Sequence, residues 1–255
     1  MKDKSDSKSL LQRWKNREKP ALNRVAAHVV KAPKNEAIPL SGAQQRLWFL
    51  EQLYPQNPVY NYSELEYFER SFNPDCLKRA LQQVFDDNDV FKTSFELKDQ
   101  EVIQLVTENA SLKILEVDLS TYSASDCESK KEELLLEDAR APFDLGSPPL
   151  IRAMLIKLHE SKWALFITMH HIITDKWSMG VFRDQLAHHY ANLTATNTTT
   201  SIKLDIQYPD YAYWQKNKAI DQRQLDYWKK KLQGEIPVLK LPTDFTAPKL
   251  SLIHI

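Results

Sequence analysis

Thr168-Met169-His170-His171-Ile172-Ile173-Thr174-Asp175-Lys176-Trp177-Ser178 is the stretch from which the rest of the 255-residue chain can be read. An apolar run, Trp163-Ala164-Leu165-Phe166-Ile167, leads into it and has the length of a buried strand. Beyond it Met179, Phe182, Leu186 and Tyr190 recur at helical spacing. The order is therefore strand, polar loop, helix. Polar side chains delivered at the end of a buried strand are held by a rigid scaffold, which is what a chemical site needs.

Adjacent residues on a strand point to opposite faces. His170 and His171 therefore do not readily share one metal ion, and no third histidine or cysteine stands at a familiar ligand spacing. No metal site is expected. Acid–base chemistry needs only one of the pair in a cavity, and imidazole suits it with an unperturbed pKa of about 6.5. Asp175 could orient a histidine directly or fix the loop through a cation. Ser178 either donates a hydrogen bond or caps the next helix. No nucleophile elbow is present, so a covalent serine mechanism has no support. Two histidines and an acid, taken alone, are more often structural than catalytic. His188-His189, a second pair placed on the helix, reads as a solvated face.

Composition narrows the classes. Hydrophobic content is 42% and charged content 27%, which fits a packed globular core. Lysine and arginine total 34 and the acids 34, so no net field recruits nucleic acid. No apolar run reaches the ~18 residues of a membrane span, and the amino terminus has no apolar signal core. Cys76 and Cys127 form no framework, which suits a reducing cytoplasm. Only Gly42, Gly146, Gly180 and Gly234 are available, too few and too scattered for a phosphate-cradling loop.

Working outward, residues 1–36 form a polar leader, disordered or docking, with an amphipathic segment from Ser9 to Lys19. Ser41 is placed to cap a helix over Ala43–Leu53. Strands are expected over Tyr60–Phe68, Val90–Leu97, Val102–Val106 and Leu112–Val117, the middle two as a hairpin. Helices are expected over Cys76–Asp87 after Asn73-Pro74, and over Ser123–Ala141. Leu150–Leu158 and Trp163–Met169 form an antiparallel pair. After a threonine-rich spacer, Thr194–Ser201, helices follow from Tyr208 and over Leu225–Leu232. Pro237–Pro248 is extended, and Ser251–Ile255 carries no folding pattern.

The motif now becomes specific. His170-His171-Ile172-Ile173-Thr174-Asp175-Lys176-Trp177-Ser178 resembles the HHxxxDGxS signature of the condensation domains of non-ribosomal peptide synthetases. Companion stretches agree in the family's order. Leu40–Leu50 resembles the opening S-x-A-Q-x-R-L-W motif, with Arg46 at its arginine. Asp87–Phe95 resembles R-H-E-x-L-R-T-x-F weakly. Phe143-Asp144-Leu145 with Pro149-Leu150-Ile151-Arg152 is similar to the segment before the active site. Tyr208–Gln215, Tyr227-Trp228 and Leu241–Asp244 continue the pattern to about Pro248. The resemblance implies a chloramphenicol-acetyltransferase-like α/β fold, a mixed sheet flanked by helices, with two lobes around a tunnel. It implies acyl transfer: the amine of an acceptor attacks an aminoacyl or peptidyl thioester held by the phosphopantetheine arm of a carrier protein. His171 matches the catalytic histidine, as general base or as the group that positions the amine. His170 matches its structural neighbour and Asp175 the acid that holds the loop by ion pairing. Lys176, Ser178 and Gly180, with Lys92, Arg152 and Arg46, follow as substrate-tunnel or loop support. Epimerising and coenzyme A-dependent relatives share the histidine motif.

The departures are as informative. The motif glycine is Lys176. The second motif's arginine positions are Asp87 and Lys92, and its histidine position is Asn88. Lys92 or Arg152 is then expected to pair with Asp175. Residues 37–200 are expected to form the first lobe, and 201–255 linker helices and the start of a second lobe that is otherwise missing. The expectation is a truncated condensation-type domain, weak or inactive alone, its other lobe either lost through truncation or a frameshift or supplied by a separate chain. The rival expectation is a non-catalytic module that binds carrier proteins or a partner lobe.

Overall fold

The computed structural model describes residues 29–33, 37–69, 72–199, 201–218 and 222–237. The amphipathic segment expected at Ser9–Lys19, the extended stretch beyond residue 237 and the segment Ser251–Ile255 lie outside the described residues. Two units are distinguished, Met1–Asn217 and Lys218–Ile255.

The first unit is a mixed α/β lobe. Its main sheet has the order β2 (Asn61–Glu69), β7 (Lys162–His170), β6 (Ile151–His159), β5 (Ile114–Asp118). The β2–β7 and β7–β6 pairs are antiparallel and β6–β5 is parallel. A second sheet joins β1 (Ile38–Pro39), β4 (Glu101–Val106) and β3 (Thr93–Lys98), all antiparallel. Asp99 and Gln100 make the two-residue β3–β4 turn with φ of 49° and 67°, the positive values that such hairpin turns use.

Strand β7 is buried continuously from Ala164 to His170 because both its faces are covered. Leu165, Ile167 and Met169 pack with α2 (Pro74–Asp87) and α4 (Lys176–Thr196). Ala164 and Phe166 pack with Met154 and Ile156 under α3 (Ala124–Arg140). The helices supply matching stripes. On α2, Leu77, Ala80, Leu81, Val84 and Phe85 are buried, and Asn73 caps the start by accepting the Cys76 N–H at 3.0 Å. Ser41 caps α1 (Gly42–Leu53) in a full capping box with Gln44, as expected.

Several expectations are corrected. Val90–Lys92 is a 3₁₀ turn over Asp89–Lys92 rather than strand, and the turn carries Phe91 into the core against Phe85 and Phe182. The strand near residue 115 starts at Ile114, with Leu112 buried ahead of it. The threonine-rich spacer is partly helical. Helix α4 runs to Thr196, and the Thr194 and Thr196 hydroxyls donate to the Tyr190 and Asn192 carbonyls. His189 is not solvated: it is 1% exposed, with Nε2 3.0 Å from Asp87 Oδ2.

The two units divide at residue 217. Helix α5 (Tyr208–Asn217) and the segment before it belong to the lobe. The Asp87 carboxylate accepts from Ser201 Oγ at 2.6 Å and Ile202 N–H at 2.8 Å, and Gln207 Nε2 donates to the Asp87 carbonyl at 2.8 Å. In the second unit, α6 (Gln222–Lys231) ends in three lysines and stacks Tyr227 edge-on to Trp228.

Candidate active site

The site forms where the central strand leaves its sheet. The His170 N–H donates to the Leu150 carbonyl at 3.0 Å, still tied to the β6 side. The next amide, His171 N–H, donates to the Tyr60 carbonyl at 2.8 Å, tied to the β2 side. The chain then turns through Ile172, Ile173 and Thr174, all buried, and enters α4.

The two histidines have opposite fates. His170 is 2% exposed, with its ring between Tyr60 and Phe143. Its Nδ1 accepts the Ile172 N–H at 3.1 Å, so the neutral ring carries its proton on Nε2. Burial, helped by the neighbouring His171, pulls its pKa from 6.5 down to about 4. It is a neutral structural group that shapes the turn. His171 is half-buried, and its Nδ1 lies 3.1 Å from the Thr174 carbonyl. A carbonyl can only accept, so Nδ1 holds the proton of the neutral ring and Nε2 keeps its lone pair. The Tyr62 ring stands edge-on to this imidazole, with centroids 5.6 Å apart.

Asp175, rather than Ser178, caps α4. Its Oδ1 accepts the Ser178 N–H and the Ser178 hydroxyl, each at 2.7 Å. Partial burial pushes its carboxyl up, but Ser178, the Trp177 N–H and nearby His171 pull it below the ordinary carboxylate value. Lys176 is the first residue of α4 and is exposed, so its side chain does not crowd the histidines. Gly180 sits half-buried in the second turn.

Neither cation expected to pair with Asp175 does so. Lys92 Nζ pairs with Asp89 at 3.1 Å and donates to the Asp86 carbonyl. Arg152 pairs with Asp138 at 2.9 Å, donates to the carbonyls of Asp138, Ala141 and Pro142, and stacks on the Phe143 ring at 3.8 Å. It closes the end of α3 and so seats the ring that meets His170. Arg46 lies on the exposed side of α1. Asp175 is held by a helix terminus, not by either of these ion pairs.

The distant motifs converge on this corner. Ser41 Oγ lies 2.9 Å from the Tyr208 hydroxyl, joining the opening motif to α5, and Gln215 accepts the Gly42 N–H. Burial pushes the Tyr208 hydroxyl up, the Ser41 bond pulls it back, and the charge of Asp175 adds to the rise. Tyr62, Glu64 and Arg183 are not singled out by the sequence motifs. The available signal was alternation along β2, which sets Tyr62, Glu64, Glu66 and Phe68 on one face; acids on a core-facing side demand a cation. Among the described residues no cluster of His, Cys, Asp or Glu is arranged to hold a metal ion, and no helix is long and apolar enough to cross a membrane.

Similarity to known proteins extends along most of the chain. The family model described as Condensation domain matches residues 34–252. One of the linear gramicidin synthase proteins of Brevibacillus parabrevis is 35% identical over 223 residues, covering 86% of this chain and 3% of the relative. Phosphinothricin tripeptide synthetase PhsC of Streptomyces viridochromogenes is 35% identical over 221 residues, 84% of this chain and 20% of that protein. The fold matches the starter condensation domain of the rhizomide synthetase RzmA with a TM-score of 0.68 at 24% identity, over 78% of this chain and 48% of that one. The X-domain in its complex with OxyB from teicoplanin biosynthesis matches with a TM-score of 0.67 at 26% identity, over 87% and 48%. The chain thus spans a small part of the curated relatives and about one lobe of the solved folds. A family match over residues 34–252, in a chain whose central strand ends at His170, means that the chain belongs to the condensation domain family of non-ribosomal peptide synthetases.

Proposed function

We propose that this lobe supplies the base side of an amide-forming acyl transfer. The supporting observation is the Nδ1 contact of His171 with the Thr174 carbonyl, which leaves Nε2 as the basic nitrogen on a half-buried ring at the end of the central strand. The acceptor amine attacks the thioester carbonyl carbon of a donor carried on the phosphopantetheine arm of a carrier protein. The C–N bond forms, the C–S bond breaks, and the amine proton passes to His171 Nε2 and on to the departing sulfur. His170 and Asp175 support the turn. Lys176, Ser178 and Gly180 complete the loop, while Lys92 and Arg152 act through packing at a distance and Arg46 stays on the exposed side of α1. Proximity supplies much of the rate when both substrates arrive tethered. Carrier proteins are the partners in this reading and the cytoplasm its setting. The chain spans 48% of the solved rhizomide domain, and in this reading the other wall of the tunnel is supplied by a second lobe.

A second reading, a non-catalytic module that binds carriers or a partner lobe, is favoured by Lys176 at the motif glycine and by Asp87, Asn88 and Lys92 in the second motif. His171→Ala separates the two. In a complex reconstituted with a second lobe and loaded carriers, loss of a general base lowers turnover by about 10²–10⁴-fold. Turnover that is unchanged by the substitution overturns the catalytic reading and leaves the binding one.

A further inference from the structure

Tyr62, Glu64 and Arg183 form a connected group beside the site to which the acyl-transfer reading gives no part. The β2–β7 register sets Tyr62 opposite Met169 and Glu64 opposite Ile167, so both stand on the face of the sheet that packs toward α4. A carboxylate on such a face is costly unless it is paired and hydrogen-bonded. Glu64 is both. Its Oε1 accepts the Tyr62 hydroxyl at 2.6 Å and Arg183 Nη2 at 2.5 Å, and its Oε2 accepts Arg183 Nε at 3.1 Å. The guanidinium fork thereby fixes the plane of the carboxylate, and the carboxylate fixes the phenol oxygen. A half-buried pair of this kind is a weak source of stability, because desolvation offsets most of the attraction. What it supplies is direction, and the direction leads to His171.

The imidazole of His171 is restrained from three sides. The backbone N–H is anchored to Tyr60 and Nδ1 to the Thr174 carbonyl. The third restraint is the Tyr62 ring, 5.6 Å away between centroids and inclined at 67°. An edge-on contact of this geometry is attractive and directional. The first two restraints hold the main chain and one ring nitrogen; the Tyr62 ring limits the swing of the imidazole about its side-chain bonds. We propose that Tyr62 is a positioning residue for His171, its ring held against the imidazole by the hydroxyl–carboxylate–guanidinium chain that runs through Glu64 to Arg183 on α4. The consequence for turnover rests on the acyl-transfer reading; the positioning itself does not.

The test needs no turnover, so its failure is distinct from failure of that reading. In the full chain, the ring ¹⁵N shifts of His171 report the tautomer, and diethyl pyrocarbonate reports the exposure and freedom of Nε2, with His171→Ala assigning both signals. Wild type should show a single tautomer protonated on Nδ1. An aromatic contact of this kind is worth a factor of about two to ten in a local equilibrium. Tyr62→Ala should therefore raise the minor tautomer and the modification rate about two- to tenfold, by the same contact argument. Tyr62→Phe, which cuts the chain at the hydroxyl, and Glu64→Gln, which keeps one acceptor but loses the charge and the second acceptor of the fork, should give intermediate values and carry the test if Tyr62→Ala fails to fold. Leu65→Ala controls for general loosening: Leu65 lies on the same strand but packs into the other core. The proposal is overturned if none of the Tyr62 and Glu64 variants moves either signal, or if Leu65→Ala moves them as far.

Discussion

His170 shows how position, not residue type, decides what a histidine does. It is one peptide bond from His171, yet its ring is sealed between Tyr60 and Phe143 and its pKa is near 4. The native state therefore binds fewer protons than the unfolded chain between about pH 4 and 6.5. Its stabilising effect is complete above the unfolded value and is lost as pH falls from 6.5 toward 4. The loss should be about 2 kcal/mol at pH 5. Urea midpoints measured at pH 7.5 and pH 5 check this, and His170→Gln should flatten the dependence. The buried His189, also lowered by burial although Asp87 pulls the other way, contributes in the same sense and will leave a residual slope.

At the scale of elements, α4 starts where Asp175 tells it to start. The motif acid was expected to hold the loop by ion pairing, and instead it accepts the Ser178 N–H and hydroxyl at the helix end, where a negative charge is favoured. Asp175→Ala should lower stability by about 1 kcal/mol in urea unfolding, with Asp175→Asn closer to wild type. An equal and large loss in both would restore the ion-pair account. Helix α3 is closed in a comparable way at its other end. Arg152 takes the carbonyls of Asp138, Ala141 and Pro142, while Asn61 Nδ2 donates to Ala139 and Ala141. Arg152→Lys keeps the charge but loses the fork, so Phe143 should loosen against His170. A histidine ¹⁵N spectrum in which His170 titrates nearer to 6.5 in that variant is the expected sign.

At the scale of the whole molecule, Asp87 acts as a staple. It stands where the family's second motif has an arginine, and it ties α2 to His189 on α4 and to Ser201 and Ile202 ahead of α5. Asp87→Ala strands a buried histidine, a hydroxyl and an amide, and should cost about 3 kcal/mol or more. Asp87→Asn, which keeps an acceptor, should cost less; chemical denaturation distinguishes them. If Asp87→Ala is neutral, the staple is not a stabilising feature. The departure from the motif is thus coupled to a change in what the position does: the charge at residue 87 now serves the interior of the lobe.

The sequence by itself determined the strand, turn and helix around His170-His171, the α1 cap at Ser41, the β3–β4 hairpin and the motif order. These were legible because periodicity and capping are local: the residues that signal an element are the residues that build it. The failures were non-local. Nothing near His189 in sequence reveals Asp87, 102 positions away, and nothing near Tyr62 reveals His171. Lys92 and Arg152 were sound partners for Asp175 by charge, but nearer acceptors took both. Only the tertiary structure decided which histidine is buried and which is half-open, which acid caps and which staples. Burial and pairing depend on what lies across the sheet, and the strand order β2-β7-β6-β5 brings together residues that chain proximity keeps apart.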